Sequence, residues 1–411
     1  MAELAIDFGT SNSAAGCRLD GAPVILEPEL GAQTLPTAVF FDFEEREVVF
    51  GTQAEQALFD GAWGRYMRAL KSLLGTPLIR ESGNFLGKRT SYLEIVARFL
   101  SEMKTRAEAQ TGLVFTQALS GRPVRFHADP GRDAQAETDL RDAYAIAGFD
   151  QVRFMFEPEA AARARQSRLK AGDTGLVIDI GGGTSDFTVF RSGGAGIEIV
   201  HSEGLRLGGT DFDRLLSIMH IMPLAGRGSE IRHAFGSETH LAPNAIFNDL
   251  ATWQKIPFLY TAETRRAAKD LHAYAAQPDR LARLVRILED ERGHDLAFAV
   301  EAAKIALNTS DASTTKVNLS ALEPKLKGSL SAEALGRTLA ASADDIADHA
   351  DLCTRNAKLS KDEITHLVLV GGSSLMGVVQ TAVQSRFPNA KTETGGALTG
   401  IIEGLALSSR I

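Results

Sequence analysis

One pattern occurs twice in this chain. An apolar run, an aspartate, an apolar residue, glycine and threonine follow one another from Leu4 to Thr10 and again from Leu176 to Thr184. Two such segments, far apart, are what two copies of one strand–turn–strand half would look like. The second copy is the more specific. Gly181-Gly182-Gly183 stands between β-branched runs, which marks a tight hairpin turn with unusual backbone angles. A glycine triplet costs conformational entropy, so a turn holds three mainly where something must come close to the backbone. In the first copy, Gly9 lets the backbone approach an anion and successive N–H groups can form a nest, with hydroxyls from Thr10 and Ser11. Asp7 ends the strand, where a carboxylate can hold the hydration shell of Mg²⁺. Taken alone, Asp7 to Ser13 fits an ordinary capped turn equally well.

Two further glycine turns follow. Gly208-Gly209-Thr210-Asp211 precedes a helix starting near Asp211, and Gly371-Gly372-Ser373-Ser374 leads from the apolar strand Leu367–Val370 into a last helix. Either alone is an ordinary connection; their order after two Asp-Gly-Thr hairpins carries the signal. Between them, periodicity predicts helices over 92–110 and 130–147, the latter stopping at Gly148, and another beginning near Pro158. Residues 262–311 and 330–357 also read as helical. The segment 221–260 mixes Gly, Pro, His and aromatics without a period, and no chemistry is assigned to it.

With 411 residues, 44% of them hydrophobic, the chain can bury a large core, and its length suggests two or more domains. A formal charge of −8 argues against nucleic acid as a partner. Cys17 and Cys353 form no CxxC pair and read as reduced thiols. The N-terminus lacks the basic-then-apolar pattern of a signal peptide, and no window approaches the ~18 apolar residues of a membrane helix. The expectation is a soluble, cytoplasmic protein without a membrane partner.

Seven motifs in order bear a wider resemblance. They are Ile6–Ser13, Leu70-Lys71-Ser72-Leu73-Leu74-Gly75, Asp142–Gly148, Glu157-Pro158-Glu159-Ala160-Ala161, the glycine-triplet hairpin, Leu207–Asp213 and Val368–Ser374. Together they resemble the actin-like ATPase superfamily, and within it the DnaK-type heat-shock chaperones, most closely the YegD-like branch. The resemblance implies a duplicated α/β fold: two lobes, each a mixed sheet flanked by helices, with a nucleotide cleft between. Lobe I would be 1–170 with a small subdomain at 36–104, rejoined by a C-terminal helix over 386–411. Lobe II would be 171–385 with a small subdomain at 211–295.

The same resemblance implies ATP or ADP with Mg²⁺ as ligands. Gly9, Thr10, Ser11, Gly181, Gly182, Gly183 and Thr184 would hold phosphate. Gly208, Gly209, Gly371, Gly372 and Ser373 would present backbone to the nucleotide. Asp7 and Asp179 would hold Mg²⁺ through water. Lys71 would steer the attacking water and neutralise the γ-phosphate; without the surrounding motif it would read as a solvated lysine. Glu157 would sit beside the metal and the water, although a carboxylate there also stabilises a helix start. Pro123 falls at the switch-proline position and reads equally as a turn proline. Glu301, Lys304 and Asn308 would contact adenosine; Glu301 and Lys304 also suit a helix-face ion pair.

Three departures stand out. Leu375 replaces an arginine that stacks on adenine, which removes a cation–π contribution. Glu137 stands where an arginine relays the nucleotide state. The sequence stops at Ile411 without a linker or β-sandwich, so the expectation is an ATPase lacking a peptide-binding domain, with an unknown protein partner. A small-molecule kinase or a nucleotide-dependent filament protein on the same fold are the alternatives.

Overall fold

The computed structural model describes residues 2–193, 196–233, 238–394, 396 and 398–410. The chain divides into two compact units, one of Met1–Gly209 with Ala343–Ile411 and one of Thr210–Ser342.

The first unit is built on two five-strand paths with the same topology. In the first sheet, Glu3–Phe8 runs antiparallel to Asn12–Leu19 and parallel to Gln117–Arg122. Gln151–Phe156 extends it on the parallel side and Ala22–Ile25 on the antiparallel side. In the second sheet, Thr174–Ile180 runs antiparallel to Ser185–Gly193 and parallel to His366–Val370. Lys391–Glu393 and Gly196–Leu205 occupy the corresponding edges. Strand for strand the arrangement repeats, as the doubled Asp-Gly-Thr pattern implies. Leu4, Ala5 and Ile6, like Leu176, Val177 and Ile178, have no exposure. Both faces of these central strands are covered, which is why they read as unbroken apolar runs rather than alternating ones.

Helices cover the sheets at positions the sequence marks. Ser91 accepts from the Glu94 N–H and closes a capping box on Tyr92–Thr111, which ends at Gly112 in the left-handed region. Asp129 caps Pro130–Ile146. Glu157–Arg165 begins with Pro158 in its first turn. The expected terminal helix over 386–411 is confined to Gly400–Ser408, preceded by the strand Lys391–Glu393; Gly395, Ala397 and Ile411 lie outside the described residues. The helices Glu157–Arg165 and Gly400–Ser408 share one core. Ala160, Ala161 and Ala162 meet Ile402, Leu405 and Ala406, with Leu119 of the first sheet and Val177, Phe190 and Val370 of the second. Small side chains there let backbones approach closely.

The second unit is mostly helical. Ala262–Ala273, Pro278–Glu289 and Gly293–Thr309 fill the region read as helical from 262 to 311. The segment without a period contains a short hairpin, Glu230–Arg232 with Thr239–Leu241, and the helix Asn244–Leu250. Such short pieces are below the length at which a hydrophobic period shows. Among the described residues, no helix is long and apolar enough to cross a membrane.

Candidate functional site

The glycine turns meet in the first unit. The triplet hairpin closes with a Gly181 N–H to Thr184 carbonyl bond of 3.0 Å. The Gly209 N–H then donates to the Gly181 carbonyl at 2.9 Å, holding the third turn against the second. A Cβ on Gly208 would lie 2.6 Å from the Gly183 nitrogen and 2.7 Å from the Gly182 carbonyl oxygen, so only glycine lets these two backbones touch. Gly371 has φ +78°, and a Cβ there would lie 2.2 Å from the Ile180 carbonyl oxygen. Gly182 abuts the first copy, where a Cβ would lie 2.8 Å from both Ser11 Oγ and Thr10 Cβ. Ser373 Oγ would be 2.2 Å from a Cβ on Gly209. All four turns therefore converge. The fourth differs from the expected simple strand-to-helix turn: a 3₁₀ turn over Gly372–Leu375 precedes the helix Gly377–Arg386.

Beside them lies a buried charge cluster. Lys71 sits on the 3₁₀ turn Leu70–Leu73, and Ala69 before it has φ 61°, a left-handed conformation that an L-residue rarely adopts. Lys71 Nζ pairs with Glu157 Oε1 at 2.8 Å, with side-chain exposures of 8% and 7%. The lysine loop is tied to the helix Pro130–Ile146. The Gly75 N–H donates to buried Asp139 at 2.9 Å, and Arg80 pairs with the same carboxylate at 2.6 Å. His127 Nε2 bonds the Leu74 carbonyl at 2.6 Å.

One ammonium thus faces Glu157, Asp7, Asp179 and Asp186. Burial, with the charge of Glu157 next, pushes Asp7 up to about 7, although Lys71 opposes this. Asp179 is raised well above the usual carboxylate range by burial and by Glu157, Asp186 and Asp7. Asp186 is pushed up to about 8 by burial and Glu157, against hydrogen bonds from Val124 and Thr184. Burial would lower the Lys71 pKa, yet Glu157, Asp7 and Asp186 raise it on balance. Four carboxylates around one cation suit an added positive charge. Among the described residues, no group of three or more His, Cys, Asp or Glu could hold a metal directly. Asp7 and Asp179, two closely placed acidic groups, are the kind of donors that suit a cation which keeps its waters, as Mg²⁺ does.

The raised carboxylates predict a pH dependence. A folded-state pKa above the unfolded value means that the folded protein holds the extra proton, so stability falls as pH rises between the two values. For Asp186 that window runs from 3.8 to about 8. Urea unfolding of the ligand-free protein should therefore show wild type losing stability relative to Asp186→Asn as pH rises from 4 to 8. A difference independent of pH would refute the assignment.

Most residues singled out in the sequence lie in this unit. Thr10 and Asp179 are buried; Gly9, Ser11, Gly181 and Thr184 are partly exposed. Pro123 precedes Val124, whose N–H donates to Asp186 Oδ1 at 2.6 Å. Glu301, Lys304 and Asn308 belong to the second unit, on Gly293–Thr309. There Lys304 Nζ pairs with buried Asp213 at 2.7 Å, and Trp253 Nε1 donates to the same carboxylate at 3.3 Å. Leu375 ends the 3₁₀ turn after Gly371.

Three residues went unassigned in the sequence reading. Asp186 is one, although the hairpin register pairs it directly with Asp179, which the four-residue turn already implies. Ser72 and Arg206 line a small cavity with Thr10, Lys71, Pro123 and Thr184, and Arg206 Nη1 donates to the Gly183 carbonyl at 2.7 Å. Nothing local marks either one.

Comparison with known proteins agrees with this geometry. The family model described as "Hsp70 protein" matches residues 3–232 and 285–396. A curated relative, the chaperone protein DnaK of Methanothermobacter thermautotrophicus, is 27% identical over 394 residues. The match covers 93% of this chain and 55% of that protein, so the chain spans about half the length of the relative.

Proposed function

The chain belongs to the Hsp70 family, with the duplicated actin-like ATPase fold, and from that premise we propose that it binds ATP or ADP with Mg²⁺ and hydrolyses ATP. The observation carrying this reading is the convergence of four glycine turns beside a buried Lys71–Glu157 pair ringed by Asp7, Asp179 and Asp186. Backbone N–H groups of Gly9 and Gly181–Gly183, with the hydroxyls of Thr10, Ser11 and Thr184, bind phosphate oxygens. Gly208, Gly209, Gly371, Gly372 and Ser373 line the nucleoside side. On the resemblance alone, Glu301, Lys304 and Asn308 are assigned to adenosine.

Catalysis in such a site is mostly positioning and charge neutralisation. Asp7 and Asp179 would hold Mg²⁺ through water, and the bound ion would neutralise charge on the phosphate oxygens. Lys71, oriented by Glu157, steers the attacking water. The water oxygen bonds to the γ-phosphorus as the bond to the ADP oxygen breaks. Asp186, whose proton affinity lies near neutral pH, is suited to accept the proton that the water gives up.

Lobes at 1–170 and 171–385, a cytoplasmic location, a place in the YegD-like branch and a chaperone-type role with an unknown protein partner belong to the same proposal. The test is calorimetric titration with ATP and ADP in Mg²⁺, beside Asp179→Ala, followed by phosphate release without any added acceptor. Asp179→Ala is expected to weaken Mg-dependent binding by about tenfold or more. Absence of binding of either nucleotide at millimolar concentration would withdraw the ATPase reading.

A further inference from the structure

Arg122 ends the strand Gln117–Arg122 immediately before Pro123. Its side chain is 13% exposed. Nε donates to the Pro123 carbonyl at 3.0 Å and Nη2 to the Val124 carbonyl at 3.4 Å. Nη1 pairs with Glu137 on the helix Pro130–Ile146, and Asp133 one turn earlier lies 3.7 Å from Nη2. The guanidinium carbon is 5.1 Å from the ring centre of Phe126 and 5.4 Å from that of Phe156. Phe156 directly precedes Glu157 in the chain.

The Pro123 carbonyl and the Val124 N–H belong to one peptide plane, and they point to opposite sides of it. Arg122 holds the oxygen end. Asp186 Oδ1 receives the hydrogen end at 2.6 Å. Past the end of the strand no sheet partner among the described residues orients this peptide, so the arginine supplies what a ladder would otherwise supply. A positive charge on the carbonyl also polarises the amide and strengthens its donation to the carboxylate.

We propose that Arg122, anchored by Glu137 and flanked by Phe126 and Phe156, is a positioning residue that orients the Pro123–Val124 peptide so that it fixes Asp186 for hydrolysis. This rests on the ATPase reading for its catalytic consequence, but not for its structural one. A lysine in the same place would keep the charge, yet it lacks the planar fork that holds two carbonyls and a carboxylate at once.

The experiment has two arms. In the first, the full-length protein carries ¹⁵N-valine and no nucleotide, and the Val124 amide resonance is followed. Its short bond to the Asp186 carboxyl oxygen gives a downfield shift that Arg122→Gln and Arg122→Lys remove, while Glu137→Gln moves it part of the way. Arg141→Gln leaves it unchanged, because Arg141 also pairs with Glu137, at 3.1 Å, but is not bonded to this peptide. In the second arm, turnover and nucleotide dissociation constants are measured on the same variants. Arg122→Gln lowers kcat by about tenfold to a hundredfold with nucleotide affinity held within about twofold, as expected for lost orientation. Arg122→Gln and Glu137→Gln combined cost no more than Arg122→Gln alone. An unchanged Val124 amide in folded Arg122→Gln, or in Arg122→Lys if the former does not fold, overturns the proposal. A loss of affinity in step with kcat overturns it as well. If wild type releases no more phosphate than Lys71→Ala, the ATPase reading fails, and the amide arm still decides whether Arg122 orients the peptide.

Discussion

Lys71→Ala is expected to lower phosphate release by about 10³-fold while leaving ADP binding largely intact, because it removes the cation that sits inside a cluster of four carboxylates. Preorganised charge in a water-poor site is worth far more than the same charge in water, and among the described residues no nearby group takes over. Arg206 is committed to the Gly183 carbonyl and is largely exposed. The ligand-free protein should change as well. Without Lys71, the opposition to the raised pKa of Asp7 and Asp179 disappears, so both carboxyls hold their protons to higher pH. Single-turnover phosphate release beside ADP titration makes the check. Hydrolysis within tenfold of wild type would remove Lys71 from the mechanism, and lost ADP affinity would assign it to binding instead.

Gly404→Ala is expected to destabilise the protein by about 3 kcal/mol, at the upper end of what overpacking a core usually costs. In an isolated helix the same change is favourable by about 1 kcal/mol, since alanine is the better helix former. Gly404 lies within Gly400–Ser408, and its missing side chain is where that helix touches Glu157–Arg165. A Cβ would lie 1.8 Å from the Ala160 carbonyl oxygen and 2.4 Å from its carbon. Backbone cannot rotate away as a flexible side chain can, so the two helices must separate. Glu157 heads the second of them, so the strain reaches the Lys71 pair. Urea unfolding should show a lower midpoint with an unchanged slope. A variant as stable as wild type would mean that this close approach does not exist in solution.

Much of the fold was legible from short-range patterns. The doubled apolar-Asp-Gly-Thr segments gave two hairpins whose sheets share one topology, and the helices over 92–110 and 130–147 appear within a residue or two of their expected ends. The terminal helix was harder. Its apolar stretch shows little amphipathic period, because it is buried nearly all round. The 3₁₀ turn at Gly372–Leu375 was missed for a similar reason, since so short a piece leaves no period. In the site, the resemblance pointed to Lys71, Glu157, Asp7 and Asp179 one by one, and Asp186 was visible only as part of a motif.

What the sequence determined by itself was local: turns that only glycine can make, caps at helix starts, and a hairpin whose turn length sets Asp179 opposite Asp186. Each depends on residues a few positions apart, so the constraint is written in neighbouring letters. What only the tertiary structure decided was the company each charge keeps. Lys71 and Glu157 are 86 positions apart, and Val124 and Asp186 are 62 apart. Their pairing, the burial that lifts Asp7 and Asp186 toward neutral pH, and the contact that forbids a side chain on Gly404 arise where distant segments meet and exclude water. No local period encodes such a meeting, because desolvation and backbone contact depend on which surfaces come together.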